Sequence, residues 1–239
     1  MPEPRILICG EYAFAIEYGT TVDPDLNARV LALDAALNAA KVPGVVETVP
    51  TYRSLLVHVD PLVADPAQLA ADALKLARTV EPLAASARRW RIPVVYGGAF
   101  GIDLEDIAAR HGLTPQQLIE KHSTPVYRAY MVGFMPGFTY LGGLDLSIAT
   151  PRRENPRAKT PAGTISIGGI QAAVASVEAP SGWHLLGRTP VRTFMAGRDP
   201  VFLLAPGDEV TFEPVPAERW DALDRRAAAG DPVAEIVSR

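Results

Sequence analysis

The sequence predicts an α+β protein in which a small ferredoxin-like domain precedes a β-rich barrel or sandwich. In the first hundred residues, strand-like and helix-like segments follow the order strand, helix, strand, strand, helix, strand, which is ferredoxin-like. Between residues 131 and 200, ten glycines and seven prolines interrupt short strand-like segments, as is typical of antiparallel barrels and sandwiches. The 239 residues suffice for two domains. We therefore divide the chain into a domain at 1–98, a helical connector at 99–123 and a β-rich domain at 124–239.

Two helices of the first domain have recognisable starts. Asp23-Pro24 and Asp65-Pro66 each combine an N-cap residue with proline at the first helical position. Apolar residues then recur at spacings of three and four, which predicts an amphipathic helix. In the first helix these residues are Leu26, Val30, Leu33 and Leu37. The strands predicted in this domain are 5–9, 13–17, 45–50, 54–59 and 92–96.

The connector is predicted to hold two short helices. Asp103 can cap the first, and Thr114-Pro115 with Gln117 begins the second, which ends near His122. Beyond it, apolar and β-branched segments between turn signals predict strands. These strands are 126–134, 164–167, 172–177, 184–187, 201–204 and 209–213. A helix is predicted at 216–229, and the end of the chain, residues 227–239, is expected to be loosely held.

Composition limits the classes of partner. The 23 basic and 27 acidic residues give a net charge of -4, without the positive field that nucleic-acid binding needs. The single cysteine, Cys9, excludes an intrachain disulfide and a Cys-ligated metal site. No signal-peptide pattern begins the chain, and no run of about 18 apolar residues occurs in it. We expect a soluble, cytoplasmic protein with neither nucleic acid nor membrane as a partner.

Several common reaction signatures are missing. The four histidines show no metal-ligand spacing such as H-E-x-x-H, so no metal is predicted. No G-x-x-x-x-G-K-[ST] phosphate loop occurs, and the glycines at 97–101 are too few to replace one. Residues 164–168 miss the G-x-S-x-G nucleophile elbow, because Thr164 stands where the first glycine belongs. No nucleophile is identified from these patterns.

Two segments of the second domain are candidates for ligand binding. Residues 133–143 interleave glycines with aromatic residues, which indicates either a tight turn with packed rings or an apolar wall for a flat polar ligand. Residues 149–161 form a proline-rich loop that either binds an anion through guanidinium groups or is simply solvated. The only acidic residue in that loop is Glu154. The basic residues of the loop are Arg152, Arg153, Arg157 and Lys159.

Histidines, an arginine and a tryptophan complete the candidates. Trp183 is predicted to be a core residue rather than a stacking platform. His184 and Arg188 are four residues apart in an extended segment, so they can face the same side. His122 closes the connector helix, where the helix C-terminus favours its charged form. Its imidazole is either a general acid or base or a structural group.

Six ordered signatures between residues 95 and 190 resemble one known family. They are V-Y-G-G-x-x-G-x-D-L-E-x-I-A, H-S-x-P-x-Y-R, G-F-x-P-G-F-x-Y-L-G-G-L-D, P-R-x-x-x-P-R, P-A-G-x-I-x-I-G-G-x-Q and G-W-x-L-L-G-R-T-P. In this chain they lie at 95–108, 122–128, 133–145, 151–157, 161–171 and 182–190. On these motifs the chain resembles the family that comprises the B subunit of 5-oxoprolinase, the Kip-type histidine-kinase inhibitor (KipI) and allophanate hydrolase subunit 1. This is also the carboxyltransferase subdomain C and D family.

The resemblance implies a cyclophilin-like antiparallel β-barrel for the second domain and a role as a non-autonomous hydrolase subunit. Family members act with a second cyclophilin-like subunit, and often with a third of the LamB type, to couple ATP hydrolysis to the opening of 5-oxoproline into glutamate. ATP is therefore expected in the complex rather than on this chain. Two alternatives come with the family: inhibition of a sensor histidine kinase, and the carboxyltransferase part of a urea carboxylase or allophanate hydrolase.

The resemblance also implies site residues, with two departures from the family pattern. Ser181 replaces the first of two glycines before the tryptophan, and Ala99-Phe100 replaces a glutamate-tyrosine pair. Neither removes a charged group from the arginine loop. The residues expected to act in catalysis are His122, Arg128, Tyr130 and His184. Those expected to bind the substrate or an anion are Arg152, Arg157, Gln171, Arg188, Gly137 and Phe138.

Overall fold

The chain forms two compact units, Met1–Ser86 and Ala87–Arg239. A computed structural model describes residues 3–82 and 88–238. The boundary between the units precedes the strand predicted at 92–96, whereas the sequence pattern places it after residue 98. That strand therefore belongs to the second unit.

The N-terminal unit is a four-stranded antiparallel sheet with two helices. The strand order is β1-β2-β4-β3. Alternate residues of β4, from Leu55 to Val59, are buried in a core formed with both helices, as period-two side-chain alternation requires. The elements are β1 (Arg5–Ile8), β2 (Ala13–Glu17), α1 (Pro24–Ala40), β3 (Val45–Pro50), β4 (Ser54–Val59) and α2 (Pro66–Thr79).

The predicted starts of both helices are confirmed. The Asp23 carboxylate accepts hydrogen bonds from the backbone N–H groups of Asp25 and Leu26, and Pro24 is the first residue of α1. Asp65 caps α2 in the same way through the N–H of Ala67. Each carboxylate thus satisfies N–H groups that have no partner within the helix.

The last position of the ferredoxin-like sheet is filled by β1 rather than by the strand at 92–96. Strand β1 pairs antiparallel with β2, and the Arg5 guanidinium donates two hydrogen bonds to the Glu17 carboxylate. The strand predicted at 92–96 lies within β5 (Arg89–Tyr96), where Ile92, Pro93, Val94 and Val95 are all buried. A strand buried on consecutive residues needs cover on both faces, which an edge position in a small sheet does not provide.

The second unit contains a closed barrel. Seven strands of an eight-stranded sheet follow the order β12-β9-β10-β7-β6-β13-β5, and β5 pairs again with β12. All the pairings are antiparallel except β13 with β5, which is parallel. The barrel strands are β5, β6 (Tyr127–Val132), β7 (Thr139–Gly142), β9 (Thr164–Gly168), β10 (Gln171–Val174), β12 (His184–Arg188) and β13 (Glu209–Pro214). The eighth strand of the sheet is β14 (Glu235–Ser238), and β8 (Arg157–Thr160) pairs with β11 (Ala179–Ser181) in a separate two-stranded sheet.

Two sequence-based expectations for the barrel are wrong. Residues 201–204 form no strand and contribute only an isolated bridge between Phe194 and Phe202. The segment expected to be loosely held contains β14, which pairs antiparallel with β5. Strand β14 is short and follows a polar turn, so its apolar pattern is too brief to be recognised in the sequence.

Three helices accompany the barrel: α3 (Leu104–Arg110), α4 (Pro115–Ser123) and α5 (Trp220–Ala228). Helix α4 begins with the predicted capping box, in which the Thr114 and Gln117 side chains each bind the other's backbone N–H. The predicted cap of α3 is wrong, because the Asp103 side chain makes no capping hydrogen bond. None of the helices in residues 3–82 and 88–238 combines the length and the apolar character needed to span a bilayer.

The separate N-terminal core leads to a first prediction. A polypeptide of residues 1–86 is expected to unfold in a single cooperative transition in urea, because its sheet is complete without β5. Circular dichroism and amide chemical-shift dispersion measure this. A fragment without a cooperative transition would show that the unit depends on the strand at 89–96 after all.

Candidate functional site

One face of the barrel sheet gathers side chains from several strands. Successive residues of a strand point to opposite faces, and Leu141 and Val174 point into the barrel core, where both are fully buried. Their neighbours Tyr140 and Ala173 therefore lie on the other face, where they pair directly across β7 and β10. Gln171, two residues before Ala173, shares that face. We call this surface the outer face.

Two glycines leave room for aromatic rings on the outer face. A Cβ on Gly142 would lie 2.4 Å from Cε2 of Tyr130, and a Cβ on Gly168 would lie 2.7 Å from Cδ2 of Trp183. Both distances are shorter than van der Waals contact, so the two rings can lie against the strands only because no side chain is present. Arg128 joins the face, with its Cζ 6.0 Å from the centroid of the Tyr130 ring. The structure thus brings Arg128 and Tyr130 together, as expected.

An aromatic row runs along this side of the barrel, formed by Phe134, Phe138, Tyr140 and Trp183. Successive ring centroids are 5.6, 4.8 and 6.0 Å apart, all within the range of attractive ring contacts. Phe138 and Trp183 are buried, whereas Phe134 is exposed. The row therefore runs from a buried indole to a solvent-exposed phenyl ring.

The turn that carries Phe138 depends on Gly137. Gly137 has a φ of 73°, and a Cβ there would lie 2.7 Å from the Cβ of Phe194. Phe134 also has a positive φ, 72°, which is uncommon for a bulky residue. The sequence left open a packed turn or an apolar wall for a ligand. Phe138 packs with Ala173 and Trp183, as the first alternative requires, whereas Phe134 is 61% exposed.

The arginine loop is held in place by a buried carboxylate that the sequence analysis did not anticipate in this role. Arg157 donates from Nη1 and Nη2 to the two carboxylate oxygens of Asp103, at 2.9 and 2.6 Å. Arg153 lies 3.6 Å from the same carboxylate. Asp103 is 4% exposed, and it also accepts a hydrogen bond from the backbone N–H of Leu185. Arg157, expected to hold a ligand anion, is thus already paired within the chain.

Further contacts fix the start of the loop. The Nε2 atom of His184 lies 2.8 Å from the carbonyl oxygen of Pro151, and the backbone N–H of Arg153 donates to the carbonyl of Gly182 at 2.8 Å. His184 is 5% exposed. The His184 side chain thus helps to position the loop. The two contacts together join the loop to the residues on either side of Trp183.

Arg152 is the arginine of this loop that faces the aromatic row. Its Cζ lies 5.4 Å from the centroid of the Trp183 ring. The side chain is exposed, and in the part of the chain that the structure describes it pairs with no carboxylate. Of the loop arginines expected to bind an anion, Arg152 retains its N–H groups for a ligand.

Tyr140 lies next to this guanidinium group. Burial raises the pKa of the Tyr140 phenol, and the positive charge of Arg152 partly offsets that rise. The phenol is therefore neutral near pH 7, so its O–H can donate a hydrogen bond. Within residues 3–82 and 88–238, the Tyr140 hydroxyl has no hydrogen-bond partner, although its ring sits beside a buried indole.

His122 lies in the barrel core, away from the outer face. Its ring stacks on Phe212 with centroids 5.0 Å apart, and its Nδ1 lies 2.8 Å from the hydroxyl of Tyr96. The ring is fully buried. Burial lowers the pKa of His122 to about 3, so the expected charged imidazole is wrong: loss of hydration outweighs the helix C-terminus. This environment favours the structural alternative for His122.

Arg188 is also placed apart from the aromatic row. It ends β12, at the opposite end from Trp183, and donates from Nε and Nη2 to the carbonyl of Ala162 at 3.2 and 3.0 Å. Its guanidinium group lies over the Trp220 ring, 4.8 Å from the centroid. Burial lowers the pKa of Arg188. His184 and Arg188 are expected to face the same side of their strand, but the structure does not bring both of them to the outer face.

The described residues hold no group of three or more His, Cys, Asp or Glu side chains arranged to bind a metal. The outer face instead presents rings, guanidinium groups and amide or hydroxyl donors. Such a surface binds a flat anionic organic molecule through stacking and charge-assisted hydrogen bonds.

A barrel with an aromatic and arginine-bearing outer face, preceded by a ferredoxin-like unit, defines a class of two-unit α+β protein. Residues 4–204 match the family described as the carboxyltransferase domain, subdomain C and D, and the chain belongs to that family.

Two curated relatives are similar over nearly their full lengths. The B subunit of 5-oxoprolinase from Bacillus subtilis (strain 168) is 36% identical over 214 residues, covering 85% of this chain and 89% of the relative. The protein of the same description from Escherichia coli O157:H7 is 38% identical over 218 residues, covering 90% and 97%. The resemblance stated from the motifs is thus confirmed.

Solved structures share the fold. TTHA0988 superposes with a TM-score of 0.76 at 34% identity, covering 85% of this chain and 40% of that one. The K. lactis urea amidolyase gives 0.83 at 18% identity, with 96% of this chain and 16% of that chain covered. The Kluyveromyces lactis urea carboxylase gives 0.82 at 17%, with 98% and 24% covered. The chain thus spans less than half of each of these proteins, and the last two comparisons show the fold alone.

The buried Asp103 carboxylate leads to a stability prediction. Asp103→Ala is expected to lower the free energy of unfolding by about 3 kcal/mol, because it leaves the Arg157 guanidinium and the Leu185 N–H without their partner. Urea denaturation monitored by tryptophan fluorescence measures the change.

The matched control is Lys159→Ala, which breaks the Lys159–Glu178 ion pair at 2.9 Å in the same segment. Both of those side chains are exposed, so the control is expected to lower the free energy of unfolding far less than Asp103→Ala does. Equal losses for the two variants would contradict the role assigned to Asp103.

Burial of neutral His122 predicts how stability depends on pH. Its pKa is about 3 in the folded chain and 6.5 as the reference value, so between these pH values the unfolded chain binds a proton that the folded chain does not. Stability is therefore full above the higher value and falls as pH drops below it, by up to about 1.4 kcal/mol per pH unit from this residue.

The comparison is with His122→Phe, which keeps an aromatic ring against Phe212 and removes the titration. The difference in unfolding free energy between the natural chain and this variant is expected to change steadily between about pH 6 and pH 4. Parallel stability curves over that range would show that the His122 ring is protonated in the folded chain.

Proposed function

We propose that this chain is the B subunit of an ATP-dependent 5-oxoprolinase-type amide hydrolase that converts 5-oxoproline into glutamate. The observation that carries the proposal is the similarity to two proteins described as the B subunit of 5-oxoprolinase, which extends over 89% and 97% of their lengths. In that role the chain acts together with a second cyclophilin-like subunit. In larger assemblies a third component, of the LamB type, joins them.

The chemistry of the outer face supports this proposal. 5-Oxoproline is a flat five-membered cyclic amide that carries a carboxylate. Tyr140 and the exposed Phe134 supply ring surfaces for a flat ligand, and Arg152 and Arg128 supply positive charge on the same side of the barrel. Opening of the amide places negative charge on the carbonyl oxygen, and fixed hydrogen-bond donors around that atom lower the barrier.

ATP is assigned to the assembled complex. This chain has no G-x-x-x-x-G-K-[ST] phosphate loop. Two arginines of the arginine loop, Arg153 and Arg157, are also paired with the Asp103 carboxylate rather than available for a phosphate. Coupling then requires that the subunit holding the nucleotide and the outer face of this chain act on the same bound amide.

Carboxyl transfer of the urea carboxylase type is the second candidate. The family description, carboxyltransferase domain, favours it, and it differs from the first in requiring a biotin-bearing partner. Inhibition of a sensor histidine kinase, the remaining alternative within the family, would need a direct complex with a kinase dimer.

Glutamate release tests the proposal. This chain and its companion subunits, alone and mixed, are incubated with 5-oxoproline and ATP, and glutamate and ADP are measured. We expect both products only from the mixture, because the proposed reaction couples ATP hydrolysis to opening of the amide.

Two results would contradict the proposal. An assembled complex that releases no glutamate, but carboxylates urea when a biotin carrier is added, would assign the chain to carboxyl transfer. Full activity from the companion subunits without this chain would remove it from the enzyme.

A further inference from the structure

Arg152 is arranged so that its N–H groups can bind a carboxylate. Its guanidinium group lies over the Trp183 ring, with Cζ 5.4 Å from the ring centroid. A guanidinium group has five N–H donors, and a carboxylate accepts from two of them in the plane of the group. The side chain is exposed, so an incoming anion can reach those donors.

The position of Arg152 is set by its neighbours in sequence. Arg157 and Arg153, the other two arginines of the loop that follow it, are directed to the Asp103 carboxylate at 2.6 and 3.6 Å. Pro151 is held through its carbonyl by His184. With both sides of Arg152 anchored, its backbone loses little conformational freedom when the side chain binds a ligand.

Tyr140 supplies a second polar group at the same ring. Its ring meets Trp183 edge to face, with centroids 6.0 Å apart and planes at 70°. Arg152 is close enough to influence the ionisation of the Tyr140 phenol. Both residues thus contact the same indole. The chemistry of their polar groups differs: the guanidinium attracts a charge, whereas the neutral phenol donates to an uncharged carbonyl.

From these contacts we propose that Arg152 and Tyr140 are the specificity-determining pair of a binding site for a cyclic amide that carries a carboxylate. Arg152 binds the carboxylate, the Tyr140 hydroxyl donates to the amide carbonyl, and Trp183 supports both residues. This chain carries the site by itself. The assignment rests on the proposed function for the identity of the ligand, 5-oxoproline, but it makes a separate claim about which residue recognises which group.

The test separates the two halves of the ligand. Binding of three compounds to the full chain is measured by ligand-observed NMR titration: 5-oxoproline, cyclopentanecarboxylate, which has the acid without the amide, and 2-pyrrolidinone, which has the amide without the acid. The variants are Arg152→Leu and Tyr140→Phe, and both are first checked for an unchanged thermal unfolding midpoint.

A crossed pattern is expected. Arg152→Leu weakens 5-oxoproline and cyclopentanecarboxylate by about 10- to 100-fold, the range of charge-assisted hydrogen bonds, and leaves 2-pyrrolidinone unchanged. Tyr140→Phe weakens 5-oxoproline and 2-pyrrolidinone by about 5-fold, as for a neutral hydrogen bond, and leaves cyclopentanecarboxylate unchanged. The control, Arg225→Leu, removes an exposed arginine of α5 and should alter none of the three.

Several outcomes would overturn the assignment. The natural chain binding none of the three compounds would do so, as would variants that weaken all three equally or leave all three unchanged. The proposed function is judged separately by glutamate release from the complex. A crossed binding pattern without glutamate release would support the binding site and contradict the proposed hydrolase function. Glutamate release without the crossed pattern would support the hydrolase function and contradict the binding site.

Discussion

The carboxylate of Asp103 connects three segments that are far apart in sequence. It lies just before α3, accepts a backbone hydrogen bond from β12 at Leu185, and pairs with Arg157 at the start of β8. A carboxylate buried to this extent is stable only when its oxygens are fully hydrogen-bonded, and here two guanidinium donors and an N–H meet that need. The geometry of the arginine loop, and with it the direction of Arg152, depends on this single buried charge.

The positions of two aromatic rings on the outer face depend on glycines beneath them. Trp183 lies over Gly168 and Tyr130 lies over Gly142, so each ring occupies the space that a side chain on the strand would fill. The rings gain burial without leaving the sheet surface, and the guanidinium groups of Arg152 and Arg128 lie over them. A surface with so much aromatic area can therefore carry charged groups beside buried rings.

Local signals in the sequence are sufficient for the helices and for most barrel strands, because caps and apolar periodicity act over a few residues. Asp23 and Thr114 cap their helices as their positions predict. Asp103 has the same local signature as a cap, but a guanidinium group 54 residues away competes for its carboxylate, and no local pattern records such a partner. For the same reason the sequence pattern assigns β5 to the wrong sheet, since an apolar strand does not specify its neighbours.

The candidate site shows a similar division. The family resemblance implies five residues that lie on or beside the outer face: Arg128, Tyr130, Phe138, Arg152 and Gln171. Trp183 is expected to be a core residue, and its burial agrees with that, but its contact with Arg152 also makes it a platform. The sequence does not single out Tyr140, because one tyrosine in a glycine-rich turn carries no signal of its own until Ala173 is seen opposite it.

The place of β5 in the barrel has a consequence for how the chain acquires its structure during synthesis. Its partner in parallel pairing is β13, and the Arg89–Glu209 contact joins residues 120 positions apart. Contacts of such long sequence separation form slowly because closing a long loop is entropically unfavourable. While a ribosome is still translating the middle of the second unit, the N-terminal sheet already has all its strands, whereas β5 remains an exposed apolar segment. Nascent chains should therefore need protection from aggregation mainly in the interval between synthesis of β5 and release of β13.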